Sequence, residues 1–219
     1  MNTRFLIGHS QRLAIILATT ATCVAGCQAD ATPAAQAPAS VQPAPPPAPP
    51  QNAATEKTAQ PPKVGETAPD FELKDLKDGK IKLSALSKKG PVILVVLRGF
   101  PGYQCPICTV QAGQLIGKAE QFAKANARVL LVYPGPSEGL KARADEFVRG
   151  KDIPANFYLV LDPDFKLTNR YGLRWKADGE TSYPSTFVLD SKRKVLFAKT
   201  SRTHGDRAKV DEVLAALPK

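Results

Sequence analysis

The chain has 219 residues, and its formal net charge of +10 at pH 7 comes from 30 lysines and arginines against 20 acidic residues. The basic residues are scattered along the chain, which argues against a nucleic-acid-binding protein and fits a soluble basic surface. Roughly 155 residues, from residue 64 onward, have the composition of a folded domain, enough for one domain with a substantial core.

The first 27 residues have the pattern of an export signal. Arg4 and Arg12 precede an apolar run at 13–26 that is too short for a comfortable membrane span. The run leads into "VAGC", which resembles the lipobox of bacterial lipoproteins, whose cysteine is lipidated and becomes the new N-terminus. The resemblance implies a signal peptide with a lipobox at 1–27 and a lipid anchor on Cys27. An ordinary cleavable signal is the alternative.

The segment that follows is predicted to be a disordered tether. Residues 28–63 are mostly alanine, proline and glutamine, with almost no large apolar side chain to bury. Such a segment cannot offset the entropy of folding, and its prolines keep it extended. By the lipobox resemblance, glutamine at position 28 favours the outer over the inner membrane. The predicted location is therefore the periplasmic side of the cell envelope, with the protein held at the membrane by its lipid.

The domain at 64–219 alternates predicted strands and helices. A hairpin is predicted around "KDGK" in residues 64–86, because apolar residues alternate on both sides of the turn. Further strands are predicted at 91–97, 128–133, 157–162, 185–190 and 194–199. Helices are predicted at 108–126, 137–150 and 206–218, the last with Asp206 as its N-cap. This order predicts an α/β fold with a central mixed β-sheet.

Two cysteines stand between a predicted buried strand and a predicted helix. Cys105 and Cys108, in "RGFPGYQCPICTVQ", are three residues apart, so the two sulfurs can close a small disulfide ring. A helix N-terminus favours the thiolate, which is the nucleophilic form. A CxxC at this point of a βαβ unit is typical of thioredoxin-like redox proteins. Zinc is disfavoured because the domain's only other soft ligand is His204, so no metal is predicted.

A proline supports the same interpretation. Pro184 stands directly before the predicted strand at 185–190. In the thioredoxin fold a cis-proline at this point faces the CxxC and guides an extended substrate backbone. We therefore expect a cis bond before Pro184, with a trans proline that begins a strand as the alternative.

Three stretches together resemble the redoxin group: "VGETAPDFELKDLKDGKIKLSAL", "PVILVVLRGFPGYQCPICT" and "STFVLD". This group joins peroxiredoxins of the alkyl hydroperoxide reductase/thiol-specific antioxidant type with thioredoxin-like thiol–disulfide reductases. The resemblance covers 64–219 and implies a thioredoxin-like fold, with a mixed sheet flanked by helices and an N-terminal β-hairpin. Peroxiredoxins carry Pro-x-x-x-Thr/Ser-x-x-Cys, and Pro101, Cys105 and Cys108 fall on this spacing.

The resemblance leaves two assignments of the cysteines open. In a peroxiredoxin, Cys108 attacks the peroxide and becomes a sulfenic acid, which Cys105 resolves to a disulfide. In a thioredoxin-like reductase, Cys105 attacks and Cys108 resolves. Peroxiredoxins also have an arginine near the thiol, which is missing from its usual place before Pro184. Arg98 and Arg174 are the candidates to replace it.

The leading hypothesis is a thiol-dependent peroxiredoxin-like oxidoreductase with antioxidant activity, which reduces hydroperoxides through the CxxC pair. It would need no cofactor, and its electrons would come from a thiol protein. The first alternative is a thiol–disulfide reductase of exported proteins. The second is a non-enzymatic envelope module whose two cysteines form an inert disulfide, although so short a loop constrains the unfolded chain little.

Overall fold

The structure, a computed structural model, describes residues 59–219. In this part of the chain, strands and helices alternate over most of the length. The strands are β1 (Glu72–Asp75), β2 (Lys80–Lys82), β3 (Val92–Val96), β4 (Arg128–Gly135), β5 (Phe157–Pro163), β6 (Ser185–Leu189) and β7 (Val195–Thr200). The helices are α1 (Leu83–Ser87), α2 (Pro106–Ile116), α3 (Ala119–Lys124), α4 (Leu140–Val148), α5 (Lys166–Arg170) and α6 (Val210–Ala215).

The strands join into one mixed sheet in the order β2-β1-β5-β4-β3-β6-β7. β3 pairs with β4, and β4 with β5, in parallel. β1 and β2 form an antiparallel hairpin, as do β6 and β7, and β6 also pairs antiparallel with β3. The predicted α/β fold with a central mixed sheet is therefore confirmed.

Strand β3 is buried on both faces, as its continuous apolar sequence predicts. Because side chains alternate along a strand, its residues divide between two halves of the core. Ile93 and Val95 pack with Leu115 of α2. Leu94 and Val96 belong to the other half of the core, against which α1 and α5 lie. Packing on both faces therefore holds β3 in place, and the loop that carries the cysteines follows this strand.

The helix predicted at 108–126 is two helices, α2 and α3. α2 begins earlier than predicted, at Pro106, because a proline at the first helical position needs no partner for an N–H and already has a helical φ. It ends just before Gly117, a residue of low helix propensity. As a result Cys105 is the N-cap of α2 and Cys108 lies in its first turn.

Two five-residue helices, α1 and α5, are absent from the sequence-based prediction. Helix α5 begins where Asp162, at the end of β5, accepts hydrogen bonds from the N–H groups of Leu167 (2.7 Å) and Thr168 (2.9 Å). The Thr168 hydroxyl donates a third, at 2.6 Å. Burial nevertheless raises the pKa of the Asp162 carboxyl. So short a helix cannot display the 3.6-residue period on which the prediction depends.

The prediction for the last helix was wrong at its start. α6 begins at Val210, and its N-cap is Lys209, not Asp206. The Glu212 carboxylate reaches back to accept a hydrogen bond from the Lys209 N–H at 2.8 Å, which stabilises the later start. Asp206 instead pairs with Lys199 of β7, at 3.0 Å.

The predicted signal peptide and lipobox at 1–27, with Cys27, and residues 28–58 of the predicted linker lie outside the described residues. The end of that linker is described, and the Pro62 side chain is buried. Among the described helices none has both the length and the apolar character needed to cross a membrane.

Candidate active site

The two cysteines lie at the start of α2, next to the carboxyl end of β3. The Cys105 sulfur accepts a hydrogen bond from the Cys108 N–H at 3.3 Å, in the manner of a helix N-cap. Both residues are buried, with exposed fractions of 3% for Cys105 and 1% for Cys108. The fold thus brings together the two residues that the CxxC motif predicted, and it places both sulfurs at the positive end of an 11-residue helix.

The two thiols share one proton unequally. A hydrogen bond from the Cys108 side chain lowers the pKa of Cys105 from its usual 9.0 to about 5. Burial opposes this shift, whereas the Cys108 N–H and the charges of Arg207 and Arg98 add to it. The same hydrogen bond, together with burial, raises the pKa of Cys108. The resting site therefore holds a Cys105 thiolate and a Cys108 thiol.

Arg207 supplies the positive charge at the sulfurs. Its Nη2 lies 3.6 Å from Cys108 Sγ and 3.9 Å from Cys105 Sγ. Its Nη1 donates to Gln111 Oε1 at 2.8 Å, and its Nε donates to the His204 carbonyl at 2.9 Å. Sequence reasoning missed this residue because Arg207 is about a hundred residues from the cysteines along the chain. No local motif marks it.

The two arginines that the sequence put forward have other partners. Arg98 is 4% exposed and donates to Glu180 Oε2 from its Nε at 2.8 Å, and to the Tyr103 hydroxyl at 2.8 Å. Its charge contributes to the lowered pKa of Cys105. Arg174 donates to backbone carbonyls, including that of Trp175 at 2.6 Å. Of the three arginines, Arg207 is therefore the one with hydrogen bonds to both sulfurs.

Pro184 and Pro101 lie on the two loops next to the pair. Pro184 is buried, immediately before β6, and its carbonyl accepts a hydrogen bond from the Ser201 N–H at 2.8 Å. The next residue, Ser185, pairs with Val96, the last residue of β3. Pro184 therefore lies near the carboxyl end of β3, where the loop that carries the cysteines begins. Pro101 is half-buried within that loop. The roles assigned to both prolines stay predictions.

The residue before the first cysteine is also fixed. Gln104 accepts a hydrogen bond from the Tyr133 hydroxyl at 3.0 Å through its Oε1. Its Nε2 donates to the Arg143 carbonyl at 2.8 Å and to Glu146 Oε2 at 3.0 Å. These contacts tie the loop that carries Cys105 to β4 and α4. Within residues 59–219, no group of three or more metal-ligating side chains comes together.

A CxxC at the N-terminus of the helix that follows a central parallel strand defines a thiol-based redox protein of the thioredoxin-like class. The chain belongs to the AhpC/TSA family, whose model matches residues 64–198. It is 29% identical over 153 residues to the chloroplastic Peroxiredoxin Q of Sedum lineare, covering 70% of this chain and 76% of the plant protein. The redoxin resemblance is therefore confirmed.

Solved and curated relatives of both redox types are similar to this chain. Peroxidoxin BcpB from Mycobacterium tuberculosis superposes with a TM-score of 0.57 at 28% identity, over 71% of this chain and 96% of that one. The thiol–disulfide oxidoreductase ResA of Bacillus subtilis is 26% identical over 132 residues, covering 60% of this chain and 64% of ResA. The thioredoxin-like fold and an oxidoreductase activity follow for this chain.

Proposed function

We propose that the protein is a thiol-dependent peroxidase that reduces hydroperoxides through the Cys105–Cys108 pair. The observation that carries this proposal is the placement of the Arg207 guanidinium within hydrogen-bond reach of both sulfurs, at the N-terminus of α2. Membership of the AhpC/TSA family supports the same conclusion. A donor at this position can stabilise the negative charge that moves onto the leaving oxygen when a peroxide bond breaks.

In the proposed reaction Cys108 is the attacking residue. After its proton passes to Cys105, the Cys108 thiolate attacks one peroxide oxygen and the O–O bond breaks. The other oxygen takes the proton held by Cys105 and leaves as water or an alcohol, while the Cys108 sulfur keeps the attacked hydroxyl as a sulfenic acid. The Cys105 thiolate then attacks this sulfur, the hydroxyl leaves with a proton from solvent as water, and the disulfide forms. Arg207 lies closer to Cys108 than to Cys105, which favours Cys108 in the first step.

The test is peroxide consumption by the purified, reduced full chain with a dithiol as electron donor. Wild-type protein should turn over hydrogen peroxide and a small organic hydroperoxide. Cys108→Ser should abolish consumption. In a separate mixture without the dithiol, reduced Cys105→Ser should consume one equivalent of peroxide and then stop, because no thiol is present to resolve the sulfenic acid. Turnover by Cys108→Ser at the wild-type rate would contradict the proposed assignment.

A second candidate is a thiol–disulfide reductase in which Cys105 attacks. The lowered pKa of Cys105 favours this activity, since the thiolate is the nucleophile in disulfide exchange. The similarity to ResA points in the same direction. Reduction of insulin disulfides by wild type, with a mixed disulfide trapped on Cys105 in Cys108→Ser and no peroxide turnover by either protein, would replace the peroxidase with this activity.

The electron donor is proposed to be a thiol protein that docks around the first turn of α2. Ile107 and Val110 are exposed large apolar residues one turn apart on α2, and Tyr103 is exposed on the preceding loop. Apolar side chains next to a reactive pair fit a protein partner that must bring its own thiol to the buried sulfurs. Val110→Asp should slow reduction by a protein thiol and leave reduction by a small dithiol unchanged.

The location is proposed from the leader alone. The pattern of residues 1–27 supports export and lipidation of Cys27, which would place the enzyme on the periplasmic side of the envelope. Metabolic labelling with a fatty acid tests this directly. Label should enter the wild-type protein and be absent from Cys27→Ala, and unlabelled wild-type protein would overturn the proposal.

A further inference from the structure

A partly buried carboxylate joins two loops beside the cysteines. The Glu180 side chain is 11% exposed and lies between the 4%-exposed Arg98 and the ring of His204. Its Oε2 accepts a hydrogen bond from Arg98 Nε at 2.8 Å, and its Oε1 lies 2.7 Å from His204 Nε2. Since a carboxylate accepts hydrogen bonds, this contact fixes the His204 ring with its Nε2–H directed at Glu180. Glu180 thus links the end of β3 to the segment that follows β7.

The segment after β7 carries the arginine that faces the sulfurs. Arg207 Nε donates to the His204 carbonyl, and Arg207 Nη1 donates to Gln111 of α2. A guanidinium is planar and rigid, so two pinned nitrogens determine where the third one points. The third, Nη2, points at Cys105 and Cys108. The position of His204 therefore sets one of the two contacts that aim Arg207.

Other contacts hold the two ends of this segment, since the Ser201 N–H donates to the Pro184 carbonyl at 2.8 Å and Ala208 is buried in the core. Residues 201–209 lie between β7 and α6 and belong to no regular element. The His204 side chain is 44% exposed, and besides Glu180 its ring contacts Trp175, with centroids 5.3 Å apart. Asp206 reaches Lys199, but that pair is solvent-exposed and contributes little. Between those two ends, the hydrogen bond from His204 to the partly buried Glu180 carboxylate joins the middle of the segment to Arg98.

We propose that Glu180 and His204 are positioning residues that hold Arg207 against the cysteine pair and so determine how readily the pair carries a negative charge. Neither residue contacts a sulfur, and both act through the Arg207 guanidinium. This inference rests on the proposed function in one respect: it takes Cys105 and Cys108 to be the reactive residues. Its test measures the thiol itself, so it does not depend on peroxide turnover.

The test is an acid–base titration of the reduced full chain, followed by the ultraviolet absorbance of the thiolate. Arg207→Gln should raise the pKa of the Cys105 thiol, and His204→Ala should raise it in the same direction by about one unit, a tenfold lower thiolate fraction in acid. Glu180→Ala, which removes the acceptor that faces His204, should behave like His204→Ala. The matched control is Arg202→Gln, which removes the same charge from the same segment, where Arg202 lies over the Tyr183 ring, and should leave the titration unchanged.

A double variant separates positioning from general disturbance. If His204 acts through Arg207, adding His204→Ala to Arg207→Gln should cause no further shift. His204→Gln keeps an N–H donor for Glu180 and should restore a titration near that of wild type. Additive shifts, or a His204→Ala titration that matches wild type, would overturn the inference. Normal titration shifts in a protein without peroxidase activity would instead reject the proposed function and leave this inference standing.

Discussion

At the scale of single residues, the site is defined by how charge is divided between two neighbouring sulfurs. Cys105 holds the thiolate at rest because Cys108 donates to it from both its thiol and its N–H. Cys108 occupies the position that the family motif gives to the peroxide-attacking thiol. The two observations are compatible because a proton that moves between hydrogen-bonded sulfurs can expose either one as the nucleophile.

The first prediction concerns Cys105→Ser, which recreates the Pro-x-x-x-Ser-x-x-Cys motif of peroxiredoxins. The substitution removes the thiolate that raises the pKa of Cys108, while Arg207 and the helix N-terminus remain. The pKa of Cys108 should therefore fall. The rate of alkylation by iodoacetamide against pH measures it, and Thr in place of Ser is the matched control. A Cys108 that stays unreactive at neutral pH in both variants would contradict the shared-proton account.

The second prediction concerns Arg207. Arg207→Gln removes the donor that faces both sulfurs and should slow the reaction with hydrogen peroxide by about a hundredfold to a thousandfold. Arg207→Lys should react with peroxide at a rate between those of wild type and Arg207→Gln. An ammonium keeps the charge but cannot bind Gln111, the His204 carbonyl and the sulfurs at once. Stopped-flow rates at saturating reductant decide the order. Equal rates for all three proteins would exclude a role for this side chain in the chemistry.

At the scale of secondary structure, β3 and α2 place the pair. β3 divides the core, so substitutions on its two faces should have separable effects. Ile93→Ala and Leu94→Ala each empty a fully buried site and should each lower the free energy of unfolding by about 2–5 kcal/mol. Ile93 belongs to the half of the core that contains the cysteines, whereas Leu94 belongs to the other half.

The third prediction follows from that division. Ile93→Ala should change the alkylation rate of the cysteines, and Leu94→Ala should leave it near the wild-type value despite a similar loss of stability. Chemical denaturation gives the stabilities and iodoacetamide gives the rates. The opposite pattern would show that the strand does not separate the two halves of the core as described.

Most of the strands and the position of the cysteine pair can be predicted from the sequence, because long apolar runs and the CxxC motif are strong local patterns. The apolar run "PVILVVL" predicts β3, and the spacing of the two cysteines predicts the redox pair. No local pattern predicts Arg207, because its position beside the sulfurs depends on how the segment after β7 returns to α2. Asp206 failed as an N-cap because Glu212 offered the backbone a better-placed acceptor. Both features, the position of Arg207 and the start of α6, depend on contacts that a local sequence pattern does not contain.

At the scale of the whole molecule, the lowered pKa of Cys105 makes the stability of the reduced protein depend on pH. In the folded, reduced protein this thiol has a pKa of about 5, against 9.0 for an ordinary cysteine. Between these two values the unfolded chain binds the proton that the folded protein has lost. The contribution is fully present above pH 9 and is lost as the pH falls towards 5.

The fourth prediction is that the reduced protein gains stability as the pH rises from 5 to 9, relative to the Cys105→Ser/Cys108→Ser double variant, by at most about 1.4 kcal/mol per pH unit. Denaturant unfolding of both proteins at matched pH values measures the difference. The disulfide form of the wild type is the control and should show no such gain, because it has no thiol to titrate. Parallel pH profiles for the reduced wild type and the double variant would contradict a lowered pKa of Cys105.

We propose that the peroxide-reactive sulfur is that of Cys108, next to Arg207. The most direct measurement is the stopped-flow reaction of reduced Cys105→Ser with hydrogen peroxide, followed by mass spectrometry of the trapped product. We predict a rate far above that of free cysteine and a sulfenic acid on Cys108. A rate no greater than that of free cysteine, with wild-type protein that reduces insulin disulfides and Cys105→Ser that does not, would show a thiol–disulfide reductase in its place.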